Sequence, residues 1–333
     1  FYEPFDIAIS VGGSSTGDSA GVNPTEEAAG TAQRCVISKN IIRRTGTTTF
    51  TGGSINVNTA YWIDVLGNVV SGSHGPGIHL NPDAAVSGIS FGCWYCNVND
   101  NIVMNSGLGH ATAQDGINIA GFRHLNVSGN MSVRNTGSGI SVRNYAAALI
   151  GSSVYANVIG NTANNNGQAP GPGFGIFVGT VGEVSLVGNQ ASDDQGTPTQ
   201  QQGISLSGAT TGVAMLSGNR AQNNTANDLA VSGGWTAPLI TKGNHFTNVT
   251  GADLGRGQVT ISGTATSAVV TFAPPRRNAT YRLALSFQTG TGSPPDASKL
   301  IANTLRGTAT FEVFVQAAPG VGNSVIFDWI VED

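Results

Sequence analysis

Residues Leu125–Val142 read LNVSGNMSVRNTGSGISV, and this stretch decides the fold. Asn130 follows a glycine, with Val127 three residues earlier and Leu125 five earlier. Apolar residues at these two places, separated by polar ones, make a period of two. That is the pattern of a short strand with one buried face. Gly139-Ile140-Ser141-Val142 then gives a second short strand, after a polar, turn-forming run.

The same pattern returns along most of the chain. Asn40, Asn68, Asn101, Asn130, Asn161, Asn189, Asn219 and Asn244 align at separations of 28, 33, 29, 31, 28, 30 and 25 residues. Three residues before each Asn stand Ile37, Val65, Val98, Val127, Val158, Leu186, Leu216 and Thr241. Five before stand Cys35, Ile63, Cys96, Leu125, Ala156, Val184, Ala214 and Leu239. A second signature alternates with the first: GIHL at 77–80, GINI at 116–119, GISV at 139–142, GIFV at 175–178 and GISL at 203–206. INV at 55–57 and DLAV at 228–231 are degenerate copies.

A period of roughly 30 residues is too long for two strands and too rich in turns for helical pairs. It fits one coil of two or three short strands. Stacked coils pair each strand with its equivalents above and below, which satisfies the backbone hydrogen bonds. The expectation is a right-handed parallel β-helix of about eight coils over residues 1–250. Its asparagines are expected to form a ladder of side-chain amides. The glycine before most of them supplies the positive φ of a turn.

Composition agrees and excludes other classes. Charged residues are only 10%, yet 39% are hydrophobic and the net charge is −4, which is not the signature of disorder. Lys39, Lys242 and Lys299 are the only lysines, so a phosphate-neutralising surface for nucleic acid is not expected. No apolar run is long enough for a transmembrane helix, so no membrane insertion is expected. The chain opens on a strand-like segment at Phe1 with no signal peptide, as if an N-terminal portion had been removed. Cys93-Trp94-Tyr95-Cys96 has CxxC spacing but no second pair for zinc, so neither a metal site nor a cofactor is expected. The register puts Cys35 and Cys96 in an inward column as core fillers, with one coil between them, so roughly 10 Å apart and beyond disulfide reach.

The repeat stops after His245-Phe246, and residues 251–257 (GADLGRG) read as a linker. Longer runs rich in Val, Thr, Phe and Ala follow at 258–273, 279–289, 307–317 and 323–331, separated by PPRRN, TGTGSPPD and APGVGN. Residues 258–333 are therefore expected to form an antiparallel β-sandwich.

A Gly/Asn-laddered β-helix followed by GxxTISGTATSAVVTF, ATYRLALSF and AAPGVGNSVIFDWIVED resembles bacteriophage tailspikes and related tail appendages of the pectate-lyase-like superfamily. The resemblance implies a homotrimer on the virion tail, outside the cell. It implies recognition, with or without depolymerisation, of bacterial surface polysaccharide. It also implies a trimerisation or ligand-binding role for residues 258–333. A β-helix hosts many activities, so the site must be read from residues.

Aligned on Ile78, Ile117 and Ile140, the outward face of three coils collects His79, Asp115, Asn118 and Arg143, with His74, Asp83 and His110 in adjoining turns. Glycoside hydrolysis needs two carboxyl groups about 5–10 Å apart, and Asp83 with Asp115 on neighbouring coils form a candidate pair. β-Elimination needs instead a base and a cation to stabilise an enolate, roles open to His79 and Arg143 with Asp115 orienting one of them. Glu183 with Asp193-Asp194 is a second carboxylate set. The plainer reading is that an Asp or His in a turn is solvated or caps a backbone donor. Trp62, Trp94, Tyr95, Tyr145 and Phe177 offer rings for stacking on sugars. Trp62, Tyr145 and Phe177, with Asn118, are the expected substrate-binding residues; partial burial against loops or a neighbouring subunit is the alternative. Three functions therefore remain open: a depolymerising tailspike, a non-catalytic receptor-binding or structural appendage, and a free secreted polysaccharide lyase-like enzyme.

Overall fold

The computed structural model describes residues 8–12, 32–45, 52–58, 60–81, 93–144, 154–171, 173–208, 212–232, 235, 239–246, 248–250, 256–263, 267–271, 282–291, 304–306, 310–314 and 320–332. Every regular element among them is a strand. The chain divides into two compact units, one of Phe1–Thr236 with Lys242–Thr250 and one of Ala237–Thr241 with Gly251–Asp333.

The larger unit is a parallel β-helix. Three parallel sheets of nine, eight and seven strands run along it, each strand paired with its equivalents one coil away. One coil reads Ile117–Ala120 in the nine-stranded sheet, His124–Ser128 in the eight-stranded sheet and Met131–Val133 in the seven-stranded sheet. The register is that of the sequence repeat: Ile117 pairs with Ile78 and Ile140, and Leu125 with Cys96 and Ala156.

Both apolar columns face inward. Val65, Val98, Val127, Val158, Leu186 and Leu216 are fully buried, as are Ile63, Ala156 and Ala214. Each large aliphatic side chain so buried contributes about 1.5–3 kcal/mol. Cys96 lies in the core and Cys35, nearer the end of the stack, is half-buried; none of the three cysteines is in a disulfide. A hydrogen bond with Cys93, together with burial, pushes the Cys96 thiol well above its ordinary range.

The asparagine ladder turns the corner between the eight- and seven-stranded sheets. Asn68 Oδ1 accepts the backbone N–H and the side-chain N–H of Asn40 at 3.0 and 2.9 Å. The same pair of bonds recurs up to Asn219 on Asn244, at 2.9 and 2.9 Å. Each inner amide also reaches back to a main-chain carbonyl, as Asn101 Nδ2 does to Val65 O at 2.8 Å. The residue before each Asn is left-handed, Gly129 at φ 65° and Gly160 at 62°, and Lys39 and Asp100 adopt the same conformation at 57° and 56°.

A second, shorter amide ladder lies at the corner between the seven- and nine-stranded sheets. Ser106 N–H donates to Asn135 Oδ1 at 2.9 Å, Asn135 Nδ2 to Asn166 Oδ1 at 2.9 Å, and Asn166 Nδ2 to Gln200 Oε1 at 3.2 Å. Gln200 Nε2 then donates to Asn224 Oδ1 at 2.8 Å. At the same corner the glycine of each GI signature points inward. A Cβ on Gly116 would stand 2.1 Å from Ser132 Oγ, and one on Gly77 2.3 Å from Val103 Cγ1. The signature is thus a packing requirement. The chain must pass this close for the next two residues to enter the sheet.

The smaller unit holds two three-stranded antiparallel sheets. One places Gly320–Glu332 between Arg256–Gly263 and Arg282–Thr291; the other places Thr310–Phe314 between Ser267–Thr271 and Thr304–Arg306. The run expected at 258–273 is two strands that join different sheets. The first of them starts at Arg256, and Thr304–Arg306 is a strand that the sequence pattern did not single out. Among the described residues no helix is long and apolar enough to cross a membrane.

Candidate functional site

The outward face of the nine-stranded sheet carries three columns of side chains. The middle one runs Asn56, His79, Asn118, Ser141, Phe177 and Ser205 by strand pairing. Beyond it stand Asn81, Ala120, Arg143 and Gly179, one on each of successive coils. On the other side, where the chain enters the sheet, come Asp115, Ser138, Phe174 and Gln202. Within a column neighbours are about 4.8 Å apart, and columns about 6.6 Å. His79, Asp115, Asn118 and Arg143 therefore lie on one face of three consecutive coils.

Asp115 bridges two coils. Its Oδ1 accepts the backbone N–H of Ser138 at 2.7 Å, and the hydroxyls of Ser138 and Ser141 also donate to it. Desolvation nevertheless outweighs these bonds and the nearby Arg143, and holds the carboxyl above its usual range. An enclosed carboxyl of this kind keeps its proton more readily and can give it to a leaving oxygen. His79 is shifted the opposite way. Burial, aided by the Arg143 guanidinium, lowers it to about 4, so its ring is neutral near pH 7. Arg143, at the end of its strand, is exposed.

Polar atoms without partners concentrate on this face. His79 Nδ1, Asn118 Oδ1 and Gln202 Oε1 are buried and make no hydrogen bond. His74 Nδ1 and His110 Nε2, in the turns leading into the same sheet, are in the same condition. Orphaned buried groups each cost about 1–3 kcal/mol, and native proteins keep few of them. His110 is held through its other nitrogen, which bonds Thr112 and Gln114. Asp83 and Tyr145 lie outside the described residues.

The other expected groups fall elsewhere. Trp62 lies beside the eight-stranded sheet, in a column with Arg34, Tyr95, His124, Tyr155 and Glu183. The Arg34 guanidinium sits over its ring at 4.9 Å, and Tyr95, one coil on, is 5.8 Å away. Tyr95 in turn stacks on His124 at 4.9 Å. These rings are spent on each other, from coil to coil. Trp94 is covered by Arg123 at 4.3 Å. Phe177 does lie in the middle column and stacks with Phe174 at 5.6 Å.

Glu183 and Asp193 do not form one set. Glu183 is exposed in the aromatic column, paired with Tyr155. Asp193 is buried and organises a turn: its Oδ2 accepts the N–H groups of Thr199 and Gln200 at 2.6 and 2.7 Å. Among the described residues no group of three or more His, Cys, Asp or Glu is placed to hold a metal ion.

No family model matches the sequence, and no curated protein matches it. Solved structures that this chain resembles include phage tailspikes. The tailspike protein gp49 from Pseudomonas phage LKA1 is 10% identical, with a TM-score of 0.39 over 91% of this chain and 59% of that one. The tailspike gp61 of Pseudomonas phage phi297 is 12% identical, with a TM-score of 0.34 over 90% of this chain and 59% of that one. The Gp54 tailspike of Acinetobacter baumannii bacteriophage AP22, solved with A. baumannii capsular saccharide, is 10% identical with a TM-score of 0.29, over 88% and 68%. The chain thus spans about three fifths of the length of the first two.

Proposed function

We propose that this protein is a tailspike-like component of a phage tail that recognises bacterial surface polysaccharide along the outward face of its nine-stranded sheet. The observation that carries the reading is the strip of unpartnered polar atoms on His79, Asn118 and Gln202. They lie on one sheet face with two half-buried phenylalanines and hydroxyl-bearing neighbours. A sugar chain offers what such a face lacks: hydroxyl groups that both donate and accept, and apolar ring faces for Phe174 and Phe177. The sequence resemblance to tailspikes supplies the setting, a virion tail outside the cell.

Cleavage is a second reading, favoured by one observation: Asp115 is a carboxyl with raised proton affinity beside a neutral imidazole. In it Asp115 gives a proton to the departing oxygen, and His79 accepts one from water or from the sugar. Asp83 is the candidate second carboxyl of a hydrolase. Arg143 is the cation of an elimination.

The two sheets of the smaller unit are taken to face one another as a sandwich over residues 258–333, and three copies of the chain to associate. What supports association is an apolar run on one half of the outer face of the seven-stranded sheet, Ile41, Val69, Ile102 and Met131, where Ile41 is 60% and Met131 44% exposed.

The test is an array of purified capsular and O-antigen polysaccharides probed with the whole chain. Saturable binding is expected. Asn118→Ala should weaken it about tenfold, the worth of one buried hydrogen bond or more. Unchanged binding by Asn118→Ala would move the site off this face. New reducing ends in the mixture, lost in Asp115→Asn, would establish cleavage.

A further inference from the structure

The glycan reading leaves the charge of the sugar open, and the surroundings of Arg143 address it. Arg143 stands at the exposed end of Ile140–Arg143. Its strand partners on the two adjoining coils are Ala120 and Gly179. Neither has a side chain beyond Cβ, so no strand partner's side chain takes up the space beside the guanidinium.

Phe177 occupies part of that space. A Cβ on Gly179 would lie 2.9 Å from Phe177 Cε1 and 3.0 Å from Cζ, and 3.5 Å from Arg143 Cβ. The phenyl ring therefore leans across Gly179 toward the arginine stem, and any larger residue at 179 would push it away. Phe174 backs it at 5.6 Å. The result is an apolar platform beside a planar cation.

In the three outward columns the ionisable side chains among the described residues are His79, Asp115 and Arg143. His79 is neutral near pH 7. The Asp115 carboxyl is engaged by Ser138 and Ser141, and burial raises its proton affinity against the pull of Arg143.

We propose that Arg143 and Phe177 form a subsite for a sugar carboxylate, so that the glycan bound on this face is an acidic one. The inference rests on the glycan reading above and adds its chemical class. A hexuronate matches the arrangement: the C–H face of its ring lies on Phe177, and its carboxylate meets the guanidinium through two parallel N–H···O bonds. A neutral sugar would fill the platform and leave the guanidinium without those two parallel bonds.

The test uses the whole chain and a polysaccharide array in which each acidic member is also printed after chemical reduction of its carboxyl groups to alcohols. That treatment keeps size and linkage and removes only the charge. Acidic members are expected to bind, and reduction to weaken them about tenfold or more, the worth of a charged hydrogen bond. Arg143→Gln should bind the native and reduced forms equally and at the weaker level, with an unchanged melting temperature because the side chain is exposed. Equal binding of native and reduced forms by the unaltered chain overturns the acidic class while leaving the glycan site in place. An acid preference that survives in Arg143→Gln overturns the Arg143 subsite instead. Binding of no polysaccharide at all overturns the subsite together with the reading beneath it.

Discussion

His79 and Asp115 sit on one face yet are displaced in opposite directions from their ordinary proton affinities. An unfolded histidine titrates near 6.5, whereas His79 in the fold is lowered to about 4. Between those values the unfolded chain binds a proton that the folded chain refuses, so stability falls as pH is lowered through this window. Asp115 has the reverse sign. Its raised carboxyl binds the proton more readily in the fold, so acidification through its own window favours the folded state. Carbon-13 NMR of labelled histidine rings should give His79 a midpoint near 4; a midpoint near 6.5 would mean that the ring is solvated. His79→Gln should remove much of the stability lost between pH 6.5 and 4, which urea unfolding at those two pH values measures. The grouping of these residues was legible in the sequence because column membership follows from register alone. The separation of Trp62 from them was not. Its neighbour Ile63 shows that it points outward, but nothing local says which of three sheets it borders or that Arg34 and Tyr95 occupy its ring.

At the scale of elements, the two kinds of glycine in the repeat do different jobs. Gly116 faces the interior, with Ser132 Oγ at 2.1 Å and Asn135 Nδ2 at 2.5 Å from where a Cβ would be. Gly160 has nothing within 4 Å of that point but sits at φ +62°. Gly160→Ala should therefore cost only the left-handed backbone penalty, about 1–2 kcal/mol. Gly116→Ala has no such penalty but must displace Ser132, Asn135 and the Gly139 carbonyl of the next coil, and should cost more, about 3 kcal/mol or above. Chemical denaturation of the two variants orders them, and equal losses would contradict the packing assignment. Asn130→Ala should rank with the larger effect. It removes the acceptor for Asn101 N and Nδ2 and the donor to Val98 O, all in the interior.

The first ladder was visible in sequence because a glycine and two apolar columns travel with its asparagines. The second was not. Asn135 and Asn166 each lie five residues after a ladder asparagine, and so does Asn224, but between them the place is taken by Gln200. A turn held by Asp193 lengthens that corner and carries the amide out of step. An insertion leaves a stacked column intact in space while erasing its spacing in sequence.

For the whole molecule, the parallel β-helix followed from a repeat of one coil, and its sheets run in the register that the repeat set. The smaller unit was less legible. Its pairings are antiparallel and each occurs once, so no column repeats to fix register, and one continuous apolar run divided between two sheets. The site lies between these cases. The β-helix places the side chains of the strip, but its chemistry depends on how deeply each is buried, which periodicity does not record.

The central claim is that the outward face of the nine-stranded sheet is where a glycan binds. A structure of the chain with an oligosaccharide taken from a bound polysaccharide tests it most directly. The account predicts sugar hydroxyls within hydrogen-bonding distance of His79 Nδ1 and Asn118 Oδ1, a ring on Phe177, and a carboxylate at Arg143. An oligosaccharide lying instead along Trp62, Tyr95 and His124 beside the eight-stranded sheet, with this face empty, would contradict it.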